Sequence, residues 1–223
     1  MSRSEKAAIS DEGTSKTQAE RTAASDRAML AAAIELILER GTEGTTLQAI
    51  GERAGYSRGL ATYRYGSKAG LFREVSTTIQ LRWVGYLKAA VGDMTGVDAL
   101  CAAADAYFQF VSDAPEDIRV LHILYYAGAA PNADVRGLAK QAFERQIDDA
   151  ERWLVDGVAA GTVPETVSPR LVATEYVAHI AGITYIWLLN PGQIDFAEIH
   201  RDFKQTLRAR LAVESRQQHA FNF

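Results

Sequence analysis

The chain has a single cysteine, Cys101, in 223 residues. A lone thiol excludes an intramolecular disulfide and a cysteine-built zinc cage, and it suits a reducing compartment. The histidines, His122, His179, His200 and His219, fall without ligand-like spacing, so no metal site is expected. A Gly-rich phosphate loop, a zinc motif and a nucleophile elbow are also missing. Catalytic residues and a cofactor are therefore not expected, and the chain reads as a non-enzyme. It does not open with the basic segment and apolar run of a secretory signal. The most apolar stretch, Tyr176 to Leu189, is shorter than the roughly 18–20 residues of a membrane span and carries His179. The expectation is a soluble, cytoplasmic protein with no membrane partner. Alternating strand patterns and internal repeats are lacking too, which leaves an all-α fold.

Apolar residues make up 48% and charged residues 23%, which excludes collagen-like and disordered chains. The length corresponds to roughly one to two domains. A net charge of −4 argues weakly against a nucleic-acid partner when taken as an average. The distribution removes that objection, although charge alone fits a solvated helical surface better than a DNA contact. Residues 1–73 carry 11 basic and 9 acidic side chains, a net of +2, and residues 74–223 carry 13 and 19, a net of −6. Arg53, Arg58, Arg64, Lys68 and Arg73 follow one another with no intervening acid.

Residues 1–21 are rich in Ser, Thr, Lys and Glu without apolar periodicity, the composition of a flexible arm. Ser25 suits an N-cap for a helix through Met29, Ala33, Leu36 and Ile37, which Arg40 and Gly41 close with a basic last turn and a C′ glycine. Thr45 and Gln48 have capping-box spacing before a short helix that Gly55 stops. Ser57 caps a second short helix from Arg58 to about Tyr65. Ser67 caps a long one marked by Phe72, Val75, Ile79, Trp83, Tyr86 and Ala90. Further helices are expected over Val97–Val111, Asp117–Gly128, Asp134–Ala160, Leu171–Leu189 and Asp195–Ala212. The expected organisation is a helix-turn-helix domain over 22–67, a helical effector-binding and dimerisation domain over 68–214, and a tail over 215–223.

The segment from Thr45 through Gly55-Tyr56-Ser57-Arg58-Gly59 to Tyr65-Gly66-Ser67-Lys68-Ala69-Gly70-Leu71-Phe72 resembles the DNA-binding signature of TetR/AcrR-type transcriptional regulators. The helix from Met29 to Gly41 is similar to that family's first helix, and the likeness covers about residues 25–75. One position departs from the family pattern. A Tyr is frequent where this chain has Thr62, so either Thr62 or the neighbouring Tyr63 takes a backbone contact, with Tyr65 as the aromatic plug.

A recognition helix enters the major groove by its N-terminal residues. Arg58 is the charged residue of that turn and can reach guanine O6 and N7, and Gly59 permits close approach. Thr46, Tyr63, Arg64 and Lys68 are placed to grip phosphates of double-stranded DNA.

The resemblance also implies an effector pocket bordered by the long helix with Trp83 and Tyr86. The aromatics Tyr107, Tyr125, Tyr126 and Trp153 suit an apolar or aromatic small molecule, although core packing accounts for aromatics as readily. His122 and His179 interrupt apolar runs, either to orient a ligand or as hydrogen-bonded core histidines. Leu171–Leu189 is apolar beyond one buried face. Ala178, Gly182, Ile183 and Ile186, with Phe203 and Leu207 of the last helix, are expected at a homodimer interface built as a four-helix bundle. The family implies a repressor released by a small molecule. A DNA-binding regulator without such input is the alternative.

Overall fold

A computed structural model describes residues 17–129 and 135–213. Among them the chain forms α1 (Gln18–Gly44), α2 (Leu47–Arg53), α3 (Arg58–Tyr65), α4 (Lys68–Val91), α5 (Gly96–Asp113), α6 (Pro115–Ala127), α7 (Arg136–Ala159), α8 (Pro169–Leu189) and α9 (Phe196–Arg210), with no strand. The all-α expectation holds, and most helix ends fall within a residue or two of the expected ones. The tail over 215–223 and most of the expected arm lie outside the described residues.

The first helix begins earlier than its apolar stripe. Thr17 is the cap: its Oγ accepts from the Glu20 N–H, and the Glu20 carboxylate accepts from the Thr17 N–H at 2.6 Å. This reciprocal box opens the helix in a polar stretch that carries no periodicity. Residues 18–21 are therefore helix, not arm. Ser25 is not a cap. It is buried inside α1 and donates to the Thr22 carbonyl. The regular helix ends at Gly41, which takes φ +65° as expected of a C′ glycine.

The cap of α2 is also displaced from expectation by one residue. Thr46 Oγ accepts from the Ala49 N–H, while Thr45 is buried and donates to the Gly41 carbonyl. The two adjacent threonines divide the work: one closes the preceding turn and the other opens the next helix. The expected caps Ser57 and Ser67, and Asp195 before α9, each accept from the N–H three residues on.

Two apolar cores organise the molecule. The first joins Met29, Leu36 and Ile37 of α1 and Ile50 of α2 to Leu71, Phe72, Val75 and Ile79 of α4, and runs on into Phe110 of α5 and Ile118, Leu121 and Leu124 of α6. The N-terminal helices therefore share a core with the helices that follow. The second packs Leu100 and Ala104 of α5 against Ala150 and Leu154 of α7, Val172, Ala173 and Tyr176 of α8, and Leu207 after Phe203 on α9. Each fully buried large side chain contributes about 1.5–3 kcal/mol to this packing. Helix α4 belongs to the first core and reaches the second at its far end, where Val91 is buried.

Candidate functional site

Helices α2 and α3 are held at a tight turn by local chemistry. Gly55 takes φ +77°, a conformation costly for other residues. The Tyr56 N–H donates to the Gly51 carbonyl at 2.7 Å, and Ser57 caps α3. Ile50 and Ala61 turn inward with no exposed surface. The opposite face of α3 presents Arg58, Gly59, Thr62 and Tyr63, all exposed. Tyr63 is 83% exposed, an unusual position for a large ring, and Thr62 stands beside it on the same face. Tyr65 turns inward instead. Its ring packs on the first core, and burial pushes its hydroxyl up to about 12.

Much of the basic run is neutralised from within. The Arg53 guanidinium bridges Glu35 and Glu39 of α1 at 3.0 and 2.9 Å, and its hydrogen bond holds the Glu39 carboxyl below the usual range. Arg64 Nε lies 3.2 Å from Asp26 Oδ1 and its side chain is mostly covered, so its charge is partly balanced by α1. Lys68 Nζ is 3.5 Å from the Glu43 carbonyl and 5.7 Å from the Phe72 ring centre. Arg58 and Arg73 are exposed and have no carboxylate partner among the described residues. Arg73 was absent from the expected contacts. Its signal was its place in the acid-free run, which the sequence could not separate from the paired members.

A cavity of about 110 Å³ opens behind α4, lined by Gln80, Trp83 and Leu87 of α4, Tyr107 of α5, Arg145 and Trp153 of α7, and Tyr176 of α8. A smaller hollow of about 40 Å³ shares Gln80, Trp83 and Tyr107 and adds His122 and Tyr125. The structure thus gathers five expected ligand residues: Trp83, Tyr107, Trp153, His122 and Tyr125. Burial pushes the Tyr107 hydroxyl up to about 12 and the His122 ring down to about 4, so His122 is neutral at pH 7. Tyr126 lies farther out, stacked near Tyr185, on a separate hollow with His122 and Tyr125. Two expected ligand residues are elsewhere. The Tyr86 hydroxyl donates to Asp113 at 2.9 Å on the outer side of α4. His179 stacks on Phe203 with ring centres 3.7 Å apart, between α8 and α9. The polar members Gln80, Arg145, Gln146 and Asp149 were not anticipated, because only the fold brings α4 and α7 together.

Comparison with known proteins finds a family likeness in the N-terminal helices. Residues 29–75 match the bacterial regulatory proteins of the tetR family. A relative from Mycobacterium tuberculosis, the HTH-type transcriptional regulatory protein RaaS, is 33% identical over 142 residues; the match spans 62% of this chain and 59% of that protein. The family likeness in sequence thus rests on the helix-turn-helix segment, and the chain matches under two thirds of that relative's length. Solved structures share the fold at low identity. The complex of SmeT with triclosan, SmeT being the repressor of a Stenotrophomonas maltophilia multidrug efflux pump, has a TM-score of 0.75 at 20% identity over 86% of this chain and 93% of that one. FadR of Bacillus subtilis with stearoyl-CoA has a TM-score of 0.70 at 16% identity over 83% and 98%.

In this chain, α8 is longer than the apolar stretch from Tyr176 suggested. It has 21 residues, long and apolar enough to cross a membrane by length and composition. Here it packs along α7, with Arg170 bound to Asp148 and Glu151 of that helix. Leu171, Tyr185, Ile186 and Leu189 remain exposed, with Ala178 exposed and Gly182 half-covered on the same side. Ile183 is half-buried and lines a narrow hollow with His179 and Phe203. Phe203 and Leu207 do not belong to this outer surface. Phe203 stacks on Tyr176 and His179, and Leu207 is buried in the second core. The apolar stripe of α9 faces its own subunit because its other side carries Arg201, Asp202, Gln205 and Arg208, all exposed.

Proposed function

We propose that this protein is a cytoplasmic transcriptional regulator that binds a palindromic operator as a homodimer and is released by a small molecule. The observation that carries the reading is the outer face of α3. Arg58, Gly59, Thr62 and Tyr63 are exposed together at a helix-turn-helix, and among the described residues none of their side chains has an intramolecular hydrogen bond or ion pair. In this reading Arg58 contacts a base edge and Gly59 lets the backbone approach the groove. Thr62, Tyr63, the N-terminal end of α2 at Thr46, Lys68 and Arg73 hold phosphates.

The dimer follows from the uncovered apolar side of α8 through Ala178, Gly182, Ile186 and Leu189, since two-fold symmetry brings two recognition helices to two half-sites. The switch follows from α4, which starts beside α3 at Lys68 and forms one wall of the cavity at Gln80, Trp83 and Leu87. A ligand with different affinity for two positions of α4 changes the spacing of the recognition helices. SmeT with triclosan and FadR with stearoyl-CoA, proteins of the same fold, have been solved with small molecules bound.

Nuclease protection of the DNA beside the protein's own gene tests the reading. The expected result is one protected palindrome with two half-sites about one helical turn apart. No protection, or protection without symmetry, overturns it.

A further inference from the structure

We propose that the cavity behind α4 is a site for a small aromatic carboxylate, with the ring held among Trp83, Tyr107 and Trp153 and the carboxylate read by Arg145. The inference deepens the regulator reading by naming the effector class, and its binding test needs no DNA.

Size limits the ligand first. A cavity of about 110 Å³, continuous in its lining with the smaller hollow of about 40 Å³, has room for one ring or a fused pair. For scale, an engineered apolar cavity of about 150 Å³ binds benzene. The walls suit a flat π-system. Trp83 and Tyr107 meet edge to face with centres 5.5 Å apart and planes at 84°, and Trp83 packs on Phe110 at 6.0 Å.

Charge then fixes the head group. The Arg145 guanidinium lines the cavity and donates to the Gln80 amide oxygen; among the described residues it has no carboxylate partner. Asp149, the acid of the same lining, is already bound to Arg152 at 2.7 Å. The unbalanced charge beside the aromatic walls is therefore positive. A neutral amide oxygen is a weak substitute for the carboxylate that a planar guanidinium fork accepts best. Gln80 is itself held from its other side, its Nε2 donating to Ser76 Oγ at 2.8 Å and to the Tyr125 hydroxyl at 3.1 Å. A carboxylate that takes the Arg145 donors replaces the Gln80 oxygen and breaks a tie between α7 and α4, the helix that begins at the DNA head.

The test is calorimetric titration of the full chain, without DNA, with naphthoate, naphthylmethanol and naphthylmethylammonium of the same isomer. Naphthoate is expected to bind about tenfold or more tightly than the other two, the worth of a charge-assisted pair. Arg145→Gln, at an exposed position, should erase that preference while keeping naphthylmethanol binding. Trp153→Ala should weaken all three alike. Failure of naphthoate to bind, equal binding of the three, tightest binding of the ammonium probe, or an unchanged preference in Arg145→Gln overturns the inference. Operator protection is measured separately, so a regulator with a different effector class is told apart from a protein that is no regulator.

Discussion

Two glycines in the DNA head look alike in sequence and differ in what surrounds them. A Cβ on Gly70 would stand 2.0 Å from the Tyr65 carbonyl oxygen, so α4 can approach the end of α3 only without a side chain there. A Cβ on Gly59 would meet nothing nearer than Ser57 Oγ at 3.7 Å. Gly70→Ala should therefore destabilise the fold by about 1–3 kcal/mol through overpacking, read as a lowered midpoint in urea. Gly59→Ala should leave stability unchanged or raise it by up to ~1 kcal/mol through helix propensity, while weakening operator binding. A loss of stability in Gly59→Ala would give that residue a folding role instead.

Lys68 belongs to the same scale. Its contact with the Glu43 carbonyl is long, so the ammonium stays free for the phosphate contact proposed for it. Lys68→Ala should flatten the slope of log affinity against log salt by roughly 1, and an unchanged slope removes it from the interface.

Residue-level reading of the sequence found some local chemistry and misplaced some by a few residues, since Thr17 and Thr46, not Ser25 and Thr45, cap the first two helices. Ser57, Ser67 and Asp195 cap their helices because the accepting side-chain oxygen and the donating N–H lie three residues apart. It could not see distant partners: Arg64 lies against Asp26, and Arg53 against Glu35 and Glu39, all on α1.

At the scale of elements, helix periodicity was legible and facing was not. The stripes of α4 and α9 show in the sequence, yet only packing shows that Tyr86 turns to Asp113 and that Phe203 turns to His179. Helix α8 is apolar on so many sides that no period could say which side another helix covers. Helix α6 carries a buried histidine with a measurable consequence. Burial holds His122 at about 4, against about 6.5 in an unfolded chain. Above pH 6.5 both states are neutral there and His122 contributes nothing to pH dependence. Below it the unfolded chain takes up a proton that the fold refuses, so stability falls from about pH 6.5 to about 4, by about 3 kcal/mol in all. Urea titrations across this window should show a loss smaller by about that amount in His122→Leu. Parallel curves for the two proteins would mean that His122 is protonated in the fold.

At the scale of the molecule, the acidic average concealed a division of labour. The net charge of −4 combines a +2 head and a −6 body, so in the proposed regulator the body repels DNA and leaves contact to the head. The ion pairs sharpen this further, because the head offers exposed Arg58 and Arg73 instead of five equal cations. The proposed dimer belongs to this scale too. Ile186 is 48% exposed on the uncovered side of α8, so Ile186→Asp should keep the fold and give a monomer in sedimentation, with operator affinity lost. A dimer that survives this change places the interface elsewhere.

The central claim is that the N-terminal turn of α3 reads base sequence. It is tested most directly by the ratio of affinities for the operator and for a random duplex, measured at one salt concentration for the wild type and for Arg58→Ala. A fall of about tenfold in that ratio is expected for the loss of one bidentate base contact. Equal losses on both duplexes would contradict it and make Arg58 a phosphate contact.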